Sequence, residues 1–341
     1  MDDIFVNKYR QLYKSSGWMK EGQSQRRRQM LEEQKRQRAQ KADENRMFLA
    51  FIQKHQAQKQ KAASANFDRF YANKLQLSEW MRERPEDLDN WYIVPCPKGK
   101  RCLIVANDRT TVYNKAGKVL NSFRSSLEGG KYVTVLDCIY NGTRKEYHVL
   151  DCLVYRNQEF IHCETSFRFF WLTSKFLEYD HTVIHRDNHY PFHFIPRFDC
   201  ADEASLAEAL NTYPQWPDNI PTLDGYLFYH KESSYAYGTT PLVLWLFSYM
   251  IPEILNTTSL HENYKNLPDG YTTALEFMDD FDRKQKLKRR GKNRAGRKME
   301  VEEGEQSVEI DQQRQLELGE LDMDHQEEEE GETPLEEDKL L

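Results

Sequence analysis

The chain has 341 residues, 39 % hydrophobic and 13 % aromatic, with 48 Lys+Arg against 55 Asp+Glu and a formal net charge of −7. A mean hydropathy of −0.86 is too polar for the whole length to be packed core, so an aromatic-rich folded part and solvated segments are expected side by side. No apolar run reaches the roughly 18 residues of a membrane helix, and Met1–Lys20 carries no signal-peptide-like apolar stretch. The six cysteines have no Cys-x-x-Cys spacing, which points to a reducing compartment, cytosol or nucleus.

The mean charge conceals blocks of opposite sign. Residues 1–69 hold 16 Lys+Arg and 8 Asp+Glu, and Arg283–Lys298 holds ten basic residues and no acid. Glu300–Asp338 holds eighteen acids and one base, Arg314. The stretch between the two basic blocks leans acidic, with 29 acids against 20 bases, and contains most of the Trp, Tyr, Phe, Pro and Gly. Three parts follow: a basic helical arm over 1–65, a folded domain over 66–280, and a disordered tail over 281–341, basic and then acidic. For the basic run, a linker, a nuclear-targeting signal and an RNA-phosphate patch all stay open.

Ser24 to about Lys61 lacks Pro and Gly and is built of strong helix formers, so a long helix is expected, with Ser24 as N-cap and a Glu32–Arg36 pair. Glu32–Arg46 is polar on every side, so the helix bridges solvent or is held by a partner. Arg26, Arg27, Arg28, Lys35, Arg36 and Arg38 suit an acidic groove; nucleic acid is the rival.

Phe70–Arg84 reads as a helix, stopped by Pro85. Strands are expected at Trp91–Val94, Arg101–Ala106, Lys131–Tyr140, Tyr147–Tyr155, Ser166–Leu172 and Gly225–Tyr229, with Asn141-Gly142 as a hairpin signal. Such spacing with few intervening helices predicts an α+β domain of antiparallel β-sheets. His181, His185, His189 and His193 recur every four residues, but Asp187-Asn188 and Pro191 oppose a helix, so a loop or strand edge is expected and no metal.

Three segments bear on chemistry: Cys96-Pro97-Lys98-Gly99-Lys100-Arg101; Leu136–Ile139 with Val149–Cys152; and Leu223–Phe228 followed by Tyr235–Leu246. Their order resembles the covalent nucleotidyltransferase fold of mRNA-capping guanylyltransferases and nucleic-acid ligases, including a Tyr-x-x-Gly-Thr spacer at Tyr235. That resemblance implies a lysine nucleophile, an acidic strand, and two lysines flanking a Trp near the α-phosphate. This chain has Cys96 in place of the nucleophilic lysine, Lys98 in place of the Asp, and Leu244 and Leu246 around Trp245. An amine of lowered pKa and cations for the transferring phosphorus are both missing, so no enzyme is expected. A nucleotide pocket that binds without reacting remains. Trp245 and Trp80 offer planes for a methylated, cationic purine, and Lys100, Arg101 and Lys115 offer cations for phosphate.

Phe70–Trp80, Cys96–Ala106, Phe167–Lys175 and Asp224–Met250 together resemble the snurportin family of nuclear import adaptors. The resemblance implies binding of the trimethylguanosine cap of U small nuclear RNAs, with no cofactor, and shuttling between nucleus and cytoplasm with spliceosomal ribonucleoproteins. By position it makes Trp245 the stacking platform and sets Trp80 against the exocyclic dimethylamine. Ser78, Gly99, Lys100, Arg101 and Lys115 become polar contacts, and Leu246 a further contact after the platform. The arm residues Arg26–Arg28, Lys35, Arg36 and Arg38 would meet importin β, and Met1, Ile4, Phe5, Val6 and Tyr9 an exportin. The alternatives are a general RNA-binding protein and a residual nucleotidyltransferase.

Overall fold

Two largely antiparallel sheets share a buried layer of side chains, and every candidate site residue of the folded domain lies on them or on the turns between their strands. The structure, a computed structural model, describes residues 22–40, 68–127, 132–178, 180–284 and 287. Along the chain run helix α1 (Gln23–Gln40), the short α2 (Asp68–Tyr71), and strands β1 (Gln76–Trp80), β2 (Trp91–Pro97), β3 (Lys100–Ala106), β4 (Thr110–Tyr113), β5 (Val119–Phe123), β6 (Thr134–Asn141), β7 (Glu146–Tyr155) and β8 (Gln158–Glu159). Helix α3 (Thr165–Glu178), β9 (Phe192–Phe194), β10 (Phe198–Asp199), α4 (Glu203–Asn211), β11 (Leu223–His230), β12 (Gly238–Phe247) and α5 (Ile251–Leu255) follow. A last helix, α6, covers 274–284.

The first sheet has the order β1-β12-β11-β2-β10, and the second β5-β4-β3-β6-β7-β8 with β9 on β7. Two parallel pairings, β1 with β12 and β9 with β7, interrupt the antiparallel pattern. Val94, Cys96, Leu227, Tyr229 and Val243 of the first sheet pack with Ile139 and Leu150 of the second, and with Phe169 of α3. The hairpin expected at Asn141-Gly142 joins β6 to β7 with Asn141 opposite Glu146, and the Asn141 side chain accepts from the Arg144 N–H at 2.8 Å.

Several expectations are corrected. Phe70–Arg84 is not one helix: α2 ends at Tyr71, Asn73 takes a positive φ of 57°, and the chain then pairs with β12 as a strand. The helical spacing of Leu77, Trp80 and Met81 was outweighed by the backbone hydrogen bonds available at an open sheet edge. Ser166–Leu172 is the reverse case. Its aromatic run reads as β, but it forms helix α3, which buries Arg168, Phe169 and Leu172 at helical spacing and leaves Phe167 and Phe170 outward. Ser24 lies inside α1 rather than capping it; the Gly22 carbonyl takes the Gln25 and Arg26 N–H groups. Arg36 pairs with Glu33, not Glu32. The expected continuation of α1 to Lys61, the exportin candidates Met1–Tyr9, Lys131, and the tail beyond residue 287 lie outside the described residues.

Buried charge braces the second sheet and ties it to helix α3. Asp137 and Asp151 sit directly opposite each other on β6 and β7, both fully buried. Arg101 holds Asp137 through two bonds of 2.6 and 2.7 Å, and Arg168 holds Asp151 at 3.0 and 2.8 Å. Removing one partner of such a pair leaves an uncompensated buried charge, at a cost of about 3–5 kcal/mol. Asp151→Asn should lower stability to urea by that order. A double replacement of Asp151 and Arg168 by apolar residues of similar volume should recover only part of it, since the Cys163 carbonyl also loses the Arg168 donor, read as unfolding midpoints.

Candidate functional site

The β2–β3 turn carries the first candidate residues. The Lys98 N–H bonds to the Thr222 carbonyl at 2.8 Å, and the Asn141 side chain donates to the Lys98 carbonyl at 3.4 Å, so the turn is held between β11 and β6. A Cβ on Gly99 would sit 2.4 Å from the Tyr140 carbonyl oxygen, so only glycine allows this approach. Lys100 is exposed at the start of β3. Arg101 behaves differently. Besides gripping Asp137, its Nη2 donates to the Gln76 carbonyl at 3.1 Å, so its guanidinium is engaged within the fold and braces β1. Burial works against its charge, but Asp137 more than offsets this and holds its pKa well above the ordinary arginine value.

Tyr235 completes this brace. Its hydroxyl donates to Asp137 at 2.7 Å and accepts from the Gln76 N–H at 2.9 Å. Gly238, at a φ of +78°, then turns the chain into β12. The Tyr-x-x-Gly-Thr spacer is therefore a structural clamp on the base of β1.

On that base stand the two tryptophans. In the parallel β1–β12 pair Trp80 is directly opposite Trp245, and Ser78 is opposite Thr240, with a register shift between Ser78 and Glu79. Both tryptophans are half-buried. Trp245 packs on the layer shared by the sheets and lies over Gly225, where an added Cβ would come within 2.7 Å of its Cζ2. Phe247 contacts both rings, at 5.7 Å from each. Lys115 sits in the β4–β5 turn, whose backbone is joined to the lead-in of β1 by the Asn73 N–H at 2.8 Å.

Leu246 does not belong to this face. It is fully buried, paired with Tyr226, and strand alternation turns it and Leu244 away from Trp245. Lysines at those two positions would point away from a ligand on Trp245, so the flanking residues belong to the outer core of the sheet. Cys96 is also unsuited to attack: it is buried, and burial pushes its thiol well above the usual range, against a nucleophilic thiolate.

The basic arm lies on the opposite face of the first sheet. Arg26 forms a two-pronged pair with Glu79 at 2.9 and 3.0 Å, and Gln23 donates to Glu79 and to the Trp80 carbonyl. Arg27 is 4 % exposed beside Trp91, 5.6 Å from its ring, and burial lowers its pKa. Lys35 pairs with Glu232 at 2.7 Å, and Arg38 with Glu164 at 3.4 Å. Arg28 is exposed, and Arg36 is tied to its own helix. The polar helix, for which an acidic groove and nucleic acid both stood open, meets acidic residues of its own domain.

Residues 74–248 match the family model described as the Snurportin1 m3G cap-binding domain. The chain belongs to the snurportin family. Solved structures with some likeness are DNA ligases. One is the ligase domain of LigD from M. tuberculosis, 11 % identical, with a TM-score of 0.34 over 52 % of this chain and 59 % of that one, less than two thirds of its length. Another is the ATP-dependent DNA ligase of bacteriophage T7 in complex with ATP, 10 % identical, with a TM-score of 0.31 over 52 % of this chain and 69 % of that one.

The snurportin-family domain thus brings Ser78, Trp80 and Trp245 onto one strand pair, with Arg101 bracing it and Gly99, Lys100 and Lys115 on adjoining turns. Sequence reasoning passed over Gly225 as a platform residue, although a glycine inside a strand signals close approach. It also passed over helix α6, which continues beyond the boundary drawn at 280. The histidine series is irregular as expected: His185 lies in a turn bridging to Asn188, while His193 on β9 reaches Glu146 at 3.2 Å. Gly225→Ala should push the Trp245 indole off its seat and cost about 1–3 kcal/mol. The expected result is a shifted tryptophan emission maximum and an earlier thermal transition.

Proposed function

We propose that the chain is a non-catalytic adaptor that binds the trimethylguanosine cap of spliceosomal U small nuclear RNAs and links their particles to importin β for nuclear entry. The observation that carries this reading is the in-register pair Trp80 and Trp245 inside the segment matching the cap-binding domain. Guanine methylated at N7 is cationic, and stacking on Trp245 adds cation–π attraction of about 0.5–2 kcal/mol to base stacking. The ring of Trp80 would meet the exocyclic dimethylamine, an apolar contact that a monomethylated cap cannot make. Lys100 and Lys115 supply charge for a short phosphate bridge, which asks for few cations.

The buried, protonated Cys96 and the outward-buried Leu244 and Leu246 support a pocket that holds a nucleotide without transferring it. The arm supports the receptor link, since Arg26, Lys35 and Arg38 already accept an acidic surface. A receptor would have to replace Glu79, Glu232 and Glu164. Recycling by an exportin and residence in both nucleus and cytoplasm belong to the same proposal.

Tryptophan quenching by trimethylguanosine and monomethylguanosine cap dinucleotides tests the central point. The trimethylated cap should bind more tightly and Trp245→Ala should abolish quenching; equal or absent binding would sink the reading. Incubation with labelled GTP or ATP and a divalent metal should leave no covalent adduct, and an adduct lost in Cys96→Ala would restore the transferase alternative. Deleting residues 1–65 should remove importin β binding in a pull-down and leave cap affinity in place. Tight, steeply salt-dependent binding of uncapped RNA would instead favour a general RNA-binding protein.

A further inference from the structure

Helix α6 lies outside the segment that matches the family domain, yet it is built onto the tryptophan pair. Its start is fixed by Glu253, whose carboxylate accepts the Ala274 N–H at 2.9 and 3.0 Å, and by Thr273, whose hydroxyl accepts the Glu276 N–H at 3.2 Å. Ala274 and Met278 are fully buried beneath it. Two residues past Trp80, Arg82 reaches across to the helix and pairs with Asp279 at 2.7 Å and Asp282 at 2.8 Å. Those carboxylates are three residues apart, so they sit on one helix face and one guanidinium spans both.

The aromatic contacts run in the same direction. Phe281 meets Trp80 edge-on, with centroids 5.3 Å apart at 85°. Phe277 meets Phe247 at 6.0 Å, and Phe247 is the ring that touches both Trp80 and Trp245. Trp80 is therefore held by Phe247 from its own sheet and by Phe281 from the helix. It stands on an edge strand only five residues long, with β12 as its one paired neighbour. Its two ring contacts thus come from different elements, and an edge-on aromatic neighbour is worth a specific orientation as well as area.

We infer that α6 is the third wall of the cap site in this chain, and that Phe281 is a positioning residue that sets the Trp80 indole for N2-methylated guanine. The inference rests on the proposed cap-binding function and deepens it: stacking comes from Trp245 and its Gly225 seat, whereas discrimination by exocyclic methylation passes through Trp80 and so through the helix. The two properties are separable by mutation. A change in α6 should alter preference among caps while leaving the stacking common to all of them.

The test uses the full chain and both cap dinucleotides, with affinities read by tryptophan quenching. Phe281→Ala should weaken the trimethylated cap about five- to tenfold, the size of one lost aromatic contact, and leave the monomethylated cap within about twofold. Phe281→Tyr should restore the preference, and Arg82→Gln should lower it by unclamping the helix. Phe281 is only half-buried, so the fold should survive, checked by an unchanged thermal transition. An unchanged ratio of the two affinities in Phe281→Ala overturns the inference while the cap-binding reading stands. Equal loss for both caps also overturns it, since that is what general damage to the site would give. A wild-type chain that quenches with neither cap overturns the reading itself, and the inference with it.

Discussion

The fold depends on a conflict that it sets up and then resolves: two fully buried carboxylates stand opposite each other on adjacent strands. Asp137 and Asp151 would repel in such a setting, and each is neutralised from a different direction. Arg101 comes from the neighbouring strand β3, and Arg168 from helix α3, where it also donates to the Cys163 and Ser233 carbonyls and to Thr165. Tyr235 joins from the segment before β12. The five groups consequently tie the second sheet to helix α3, to β1 and to the segment that leads into β12. The site is rigid because its foundations are charged partners with no alternative in the interior.

The same contacts occupy residues that have the look of reactive machinery. Arg101, Asp137 and the tyrosine of the Tyr-x-x-Gly-Thr spacer are joined to one another and to the Gln76 backbone, so their chemistry is absorbed by the architecture. The strand ending in Phe247 makes the same point through alternation. Trp245 looks into the layer between the sheets, and its neighbours Leu244 and Leu246 look out, so a Leu–Trp–Leu triplet serves two faces at once.

Sequence alone made much of this legible. The antiparallel strands β2, β3, β6, β7 and β11 announced themselves through alternation and bounding turns, and the tryptophan pair through its flanking motifs. Where reading failed, long-range pairing decided matters that local pattern could not. Gln76–Trp80 has helical spacing and becomes a strand because β12 offers it a partner; Phe167–Trp171 has strand composition and becomes a helix because Arg168 must reach Asp151. The arm's basic character was readable, but an acidic partner and nucleic acid both stayed open, and nothing marked Glu79, one residue from Trp80, as its partner. Phe281 was hidden for another reason. Within a run of charged residues a single phenylalanine carries no periodic signal, and only the fold brings it to the indole.

The position of that helix also bears on the start of the basic run. Phe281 touches Trp80, and Arg283 and Lys284 follow in the same helix, opening the run of ten basic residues that ends at Lys298. Counted along the sequence, these cations are a remote appendage more than thirty residues past the last strand. Measured from the folded domain, they begin two residues from a side chain in contact with the tryptophan pair. The first two cations of that run, Arg283 and Lys284, thus belong to the helix that closes on the aromatic slot of an otherwise acidic domain.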